Sequence, residues 1–186
     1  MSGATCCAAS TTTSSVRSAG LRPEGRPSSE RPQFIADSMH GKLARWLRLL
    51  GYDAVYSKSD DDQLLLEAKS SGRVLVTSDI ELHRLAIRRD IRSILVPLEG
   101  IEKQLAVVAE GASKMFGIEV AQFLEPRATR CSICNGELVD EGDGRHYVCL
   151  SCGQRYWEGS HWSRIERTLK SAKELAVSKN ASLKRS

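Results

Sequence analysis

The chain has 186 residues, 41% hydrophobic and 27% charged, enough for one domain of ordinary size with a small appendage. No apolar run approaches the roughly 20 residues needed to cross a bilayer, which excludes a membrane-spanning helix. The formal net charge of +4 is too small for bulk electrostatics to argue a polyanionic partner, so any nucleic-acid reading must rest on local patches.

Residues 1–32 are rich in Ser, Thr, Ala and Gly, hold three of the five prolines and no aromatic residue, and read as a disordered tail. With Arg17, Arg22, Arg26 and Arg31 against Glu24 and Glu30 they also fit an organellar transit peptide, for plastid or mitochondrion, on an otherwise intracellular protein. From residue 33 strand and helix signals alternate. Gln33 to Ala36 predicts a strand, and Met39, Leu43, Trp46, Leu47 and Leu50 then recur at helical spacing until Gly51. Tyr52 to Tyr56 predicts a second strand. Asp60-Asp61-Asp62 opens a helix that ends near Gly72, with Leu64, Leu65 and Ala68 as its buried stripe. Val74 to Val76 predicts a buried strand, followed by Thr77-Ser78-Asp79 and a helix to about Arg89; Ser93 to Val96 is a fourth strand and Ile101 to about Met115 a further helix. This alternation predicts an α/β domain with a mainly parallel sheet covered on both faces, and such sheets carry their reactive crevice beyond the carboxyl ends of the strands.

After Pro126 the chain turns polar and carries four cysteines. Cys131-x-x-Cys134 and Cys149-x-x-Cys152, 14 residues apart, have the spacing of a structural Zn²⁺ site of four thiolates, closed to substrate. Arg127, Arg130, Arg145 and Arg155 give this segment a basic cast, whereas Cys6 and Cys7 support no assignment. From His161 onward Trp162, Ile165, Leu169 and Ala172 mark an amphipathic helix, and Lys179, Lys184 and Arg185 a basic tail.

Asp37 and Asp79 each follow a strand's carboxyl end, and Asp61 and Asp62 begin the helix between them. Each of these acids has an ordinary use as a helix cap. Their joint placement predicts convergence, and converging carboxylates call for a hard divalent cation such as Mg²⁺ or Mn²⁺. That chemistry serves phosphodiester hydrolysis. Lys42, Arg45 and Arg48, at three-residue intervals on the first helix, could hold phosphates or form its solvated face.

The segments Asp37-Ser38-Met39 and Gly41 to Asp53 closely resemble the opening signature of the Mut-seven C-terminal RNase domain, a branch of the PIN-like nucleases. Asp61 to Leu65, Thr77-Ser78-Asp79, Gln104-Leu105, both cysteine knuckles and Tyr156 to Trp162 continue the resemblance to about residue 165. It implies a PIN-like three-layer α/β/α sandwich over 33–125, a zinc ribbon over 127–160, a C-terminal helix over 161–177 and a basic tail over 178–186. It further implies metal-dependent (endo)ribonuclease activity on RNA, with Asp37 as first metal-binding acid, Asp61 or Asp62 as the middle one and Asp79 as the later one. Glu81 reads as a helix-face residue. The spacer between the knuckles is shorter than is usual in the family, and Gln63 stands where members often carry an acid. His161, in the most distinctive match, either contacts a phosphate, donates a proton or serves the helix start. The alternative from another class is a catalytically inactive RNA-binding or adaptor module that works through the ribbon.

Overall fold

The computed structural model describes residues 31–157 and 159–183. The transit-peptide reading, Cys6 and Cys7, and the last three residues of the basic tail lie outside them.

Four short strands, β1 (Phe34–Ala36), β2 (Ala54–Tyr56), β3 (Val74–Thr77) and β4 (Ser93–Leu95), form an all-parallel sheet in the order β2-β1-β3-β4. Between them run a 3₁₀ turn (Ser38–His40) leading into α1 (Gly41–Leu49), then α2 (Asp61–Ser71) and α3 (Ile80–Arg88); α4 (Ile101–Phe116) and α5 (Val120–Phe123) follow. Alternation along the strands sorts the two faces. Phe34, Val74 and Val76 join Leu43 and Leu47 of α1 and Leu105 and Val108 of α4 in one core. Ile35 and Leu75 point the other way and meet Leu64, Leu65 and Ala68 of α2 and Leu82 and Ala86 of α3. The result is the expected three-layer sandwich.

A cysteine-bearing ribbon of three antiparallel strands, β5 (Leu138–Asp140), β6 (His146–Cys149) and β7 (Arg155–Trp157), follows, and α6 (Trp162–Leu183) closes the fold. Leu169, Ala172 and Ala176 recur at helical spacing on the buried face of α6, which lies against α4. The described residues belong to one compact unit, Arg31–Ser186.

Two local differences from the sequence expectation have simple causes. The first helix starts as a 3₁₀ turn, because Asp37 caps the Ser38 amide and the His40 amide bonds back to the Asp37 carbonyl at 2.8 Å. The four-residue α5 is too short to leave a periodic signal. It is held by Phe123, whose ring stacks on Tyr52 at 4.4 Å while its carbonyl accepts the Tyr52 hydroxyl at 3.2 Å. Burial pushes the Tyr52 phenol up to about 12, keeping it a donor at any working pH.

The outer edge of β2 is occupied. Phe34 N–H bonds to Asp53 O and Ser57 N–H to Ala36 O, which turns the Ala54 peptide groups away from the sheet. Ala54 N–H donates to Asn135 Oδ1 at 3.2 Å, and Ala54 O accepts from Arg48 Nε at 2.7 Å. Asn135 sits in the first cysteine knuckle at φ 67°, a left-handed conformation that Asn tolerates. Gly51, at φ 82°, makes room for the chain entering the ribbon: a Cβ there would stand 2.7 Å from Thr129 Oγ1 and 3.0 Å from Arg127 Cβ.

Candidate active site and metal centre

In this strand order the connection from β1 runs to one side and the next element returns on the other, so the sheet's switch point lies between β1 and β3. Both predicted acids sit there. Asp37 N–H donates to Val76 O at 3.1 Å across the two strand ends. Thr77, fully buried, links the Asp37 carboxylate to the Asp79 backbone: its hydroxyl donates to Asp37 Oδ2 at 3.0 Å and accepts the Asp79 backbone N–H at 3.0 Å. The other oxygen of Asp37 takes the Ser38 amide. Asp79 caps α3, its Oδ1 accepting from Glu81 N at 2.7 Å and Leu82 N at 3.0 Å.

The Asp61–Asp62 pair arrives through an ordered loop. Glu67 on α2 accepts from Ser57, Ser59 and Gln63 side chains, and Asp60 caps α2 by accepting Gln63 N–H at 2.9 Å. That places Asp61 at the first helical position. Its carboxyl is pushed above the ordinary Asp range by burial and then by the charges of Asp79 and Asp37. Asp62 turns elsewhere, its Oδ1 taking Arg89 of α3 at 3.0 Å on the exposed surface. Asp37, Asp61 and Asp79 thus stand within electrostatic reach of one another. They do not close on one point: among the described residues, the four ribbon cysteines are the group whose ligand atoms all lie within 4.8 Å of each other.

Close by, His40 is buried, with its ring Nε2 2.8 Å from Ser78 Oγ. That hydroxyl has one proton and gives it to Val96 O at 2.8 Å, so His40 Nε2 is the donor. Burial lowers the His40 pKa, with Asp37 opposing, and the ring is neutral at pH 7. Nothing in its spacing announced this role, nor that of Thr77 as the tie between two acids.

Of the three basic residues on α1, Lys42 and Arg45 are exposed and line a cleft of about 320 Å³ with Tyr56 and Ile133 of the first knuckle. Arg48 is neither solvated nor free for phosphate. It is buried, and its guanidinium donates to the carbonyls of Ala54, Ser132 and Ile133 at 2.7, 3.2 and 2.8 Å. His161 lies in the turn before α6, exposed, its carbonyl receiving the Arg164 and Ile165 amides. Among the described residues no hydrogen bond or ion pair joins its ring to the three acids.

The cysteines fit zinc. A tetrahedron with Zn–S of about 2.3 Å has sulfur–sulfur edges of about 3.8 Å. Here Cys131 and Cys152 sulfurs are 3.6 Å apart, and those of Cys134 and Cys149 3.4 Å. The knuckles repeat one turn, with Asn135 N–H on Cys131 O and Gly153 N–H on Cys149 O, both at 2.9 Å. Thiol sulfurs also accept amides, Cys134 N at 3.5 Å and Gly136 N at 3.4 Å. Tyr156 OH reaches Cys131 Sγ at 3.0 Å from the second layer. The four cysteines could hold one zinc ion, and four thiolates leave it no open position.

A parallel three-layer sandwich with acids at its switch point, carrying a four-cysteine ribbon on its flank, defines an α/β domain with an appended cysteine ribbon. The family model of the Mut7-C RNAse domain matches residues 32–169, and the chain belongs to that family. No curated protein and no solved structure matches the chain. No helix among the described residues is long and apolar enough to cross a membrane.

Proposed function

We propose that the chain is a metal-dependent ribonuclease in which Asp37, Asp61 and Asp79 hold Mg²⁺ or Mn²⁺ and the ribbon's zinc is structural. The observation that carries this reading is the hydrogen-bonded line from the Asp79 amide through Thr77 to Asp37, at the sheet's switch point and facing an Asp61 that feels both charges. Three carboxylates within electrostatic reach of one another, though not closed on one point, suit a hard dication, because Mg²⁺ commonly binds through only one or two carboxylates while keeping waters. Such an ion supplies charge stabilisation at a phosphoryl oxygen and a more acidic water. Asp62, paired to Arg89, supports the rim rather than the ion. Lys42 and Arg45 lead away from the acids along α1 and hold backbone phosphates. His161, beside Trp162, contacts RNA on the ribbon side and takes no part in proton transfer.

The test is cleavage of a mixed RNA pool by zinc-loaded protein with Mn²⁺ added or withheld, because a chelator would strip both metals. Asp37→Asn and Asp79→Asn are expected to lower cleavage at least 100-fold while zinc content and circular dichroism stay unchanged. Equal cleavage by these variants, or RNA binding without cleavage in the wild-type chain, overturns the assignment and favours the adaptor reading.

A further inference from the structure

We propose that the groove between the ribbon sheet and the start of α6 binds unpaired nucleobases, so that the substrate is single-stranded RNA gripped on the ribbon side of the acidic site. The groove holds about 280 Å³ and lies between Leu49 at the end of α1, Pro126, one face of the ribbon and Trp162. Register places Tyr147 opposite Tyr156, and Arg145, two residues before Tyr147, shares their face of the sheet. Trp157, next to Tyr156 and opposite His146, turns by the same alternation to the other face and borders the groove at the end of β7, with 64% of its surface exposed, a large apolar area for a side chain on a small ribbon.

The charge of the lining decides the occupant. Arg127, Arg130 and Arg145 are its charged residues, and none of the lining residues is acidic. Arg130 spends one donor on Asn135 O, Arg127 has a loose 3.9 Å pair with Glu125, and the Arg145 side chain has no partner among the described residues. Indole and phenol rings beside unspent guanidiniums are the combination that stacks bases and holds the phosphates between them. A duplex keeps its bases stacked inside and offers no face to Trp157. Beyond Trp162 the cleft continues along α6, where Arg167, Lys170 and Lys173 recur every three residues with one acid, Glu166.

The placement also sets a path. α1 begins just after Asp37 and ends at Leu49 in the groove wall, so its nine residues, about 14 Å, separate the acids from the groove. Lys42 and Arg45 lie between the two. A strand whose bases are held at Trp157 would cross them and present a phosphodiester a few nucleotides away to the acids. The path to the acids rests on the ribonuclease reading; base stacking in the groove does not.

The experiment measures binding of a labelled single-stranded RNA of about 12 nucleotides, and of the same strand annealed, to the full zinc-loaded chain without Mg²⁺ or Mn²⁺. The single strand is expected to bind at least tenfold more tightly than the duplex and to quench tryptophan fluorescence. Trp157→Ala should weaken single-strand binding roughly tenfold and remove much of the quench, with Trp157→Phe restoring most of the affinity. Arg145→Ala should weaken it several-fold and flatten the salt dependence. Should Trp157→Ala lose zinc, Arg145→Ala and the duplex comparison carry the test. Unchanged binding in the alanine variants, or a duplex bound as tightly as the single strand, overturns the proposal. Cleavage scored separately with Mn²⁺ restored keeps the two readings apart. A chain that binds through Trp157 but cuts nothing sinks the nuclease and leaves the groove. A chain that cuts while Trp157→Ala and Arg145→Ala bind normally does the reverse.

Discussion

Thr77 shows how much one buried hydroxyl organises, since it donates to Asp37 and accepts from Asp79 at the same time. Thr77→Val keeps the shape and removes both bonds. It should cost about 1–3 kcal/mol in urea unfolding and lower cleavage at least tenfold, whereas Thr77→Ser should retain both properties. Asp61 has the opposite relation to stability. Its folded pKa lies above its unfolded one, so the ionised carboxylate is disfavoured in the fold and stability falls as pH rises through that window. Asp61→Asn should therefore raise the melting temperature of metal-free protein at pH 7, abolish the further rise on adding Mn²⁺, and stop cleavage. For His40 the folded pKa is depressed by burial. Its stabilising effect is complete above the unfolded value of about 6.5 and is lost as pH falls through the interval below it. Melting temperatures followed from pH 7.5 to 5.5 should drop, and drop less in His40→Gln.

At the level of elements, the ribbon is fastened to the sandwich by side chains that the sequence assigns to other work. The period of α1 puts Arg48 on the same strip as Lys42 and Arg45, and only the knuckle arriving from more than 80 positions away turns it inward to bind three carbonyls. Asn135 is equally silent in one dimension. Its amide bonds Ala54 on one side and Asp53 Oδ1 at 2.7 Å on the other, and Asp53 holds a two-pronged pair with Arg73 at 2.8 and 2.9 Å. Burial alone would raise the Asp53 pKa, but these hydrogen bonds outweigh it and hold the carboxyl low. Asn135→Ala is expected to cost about 1–3 kcal/mol and to lower the melting temperature of the whole unit, not of the ribbon alone. What was legible beforehand has a common character. Strand and helix alternation, the acids after β1 and β3, and the cysteine spacing are local patterns repeated within a few residues. Thr77, His40, Arg48, Asn135 and the short α5 depend on partners distant in sequence, as does the Arg89 pair that distinguishes Asp62 from Asp61.

Among the described residues of the Arg31–Ser186 unit, three acids stand near one end of α1 and a basic, aromatic ribbon at the other, with the four cysteines beside the joint. Loss of zinc should therefore be felt in the sandwich. Chelation is expected to lower the unfolding midpoint of the entire unit in one cooperative transition, and Cys131→Ser to do the same without a chelator. The bonds that Asn135 and Arg48 make to Ala54 give that loss a second outcome. With the knuckle undone, β2 becomes a bare sheet edge whose free amide and carbonyl invite a neighbouring molecule to dock strand against strand. Zinc-starved protein should scatter light and form oligomers at temperatures where the loaded form stays dispersed, so that zinc held by the four cysteines would guard against self-association as well as staple the fold.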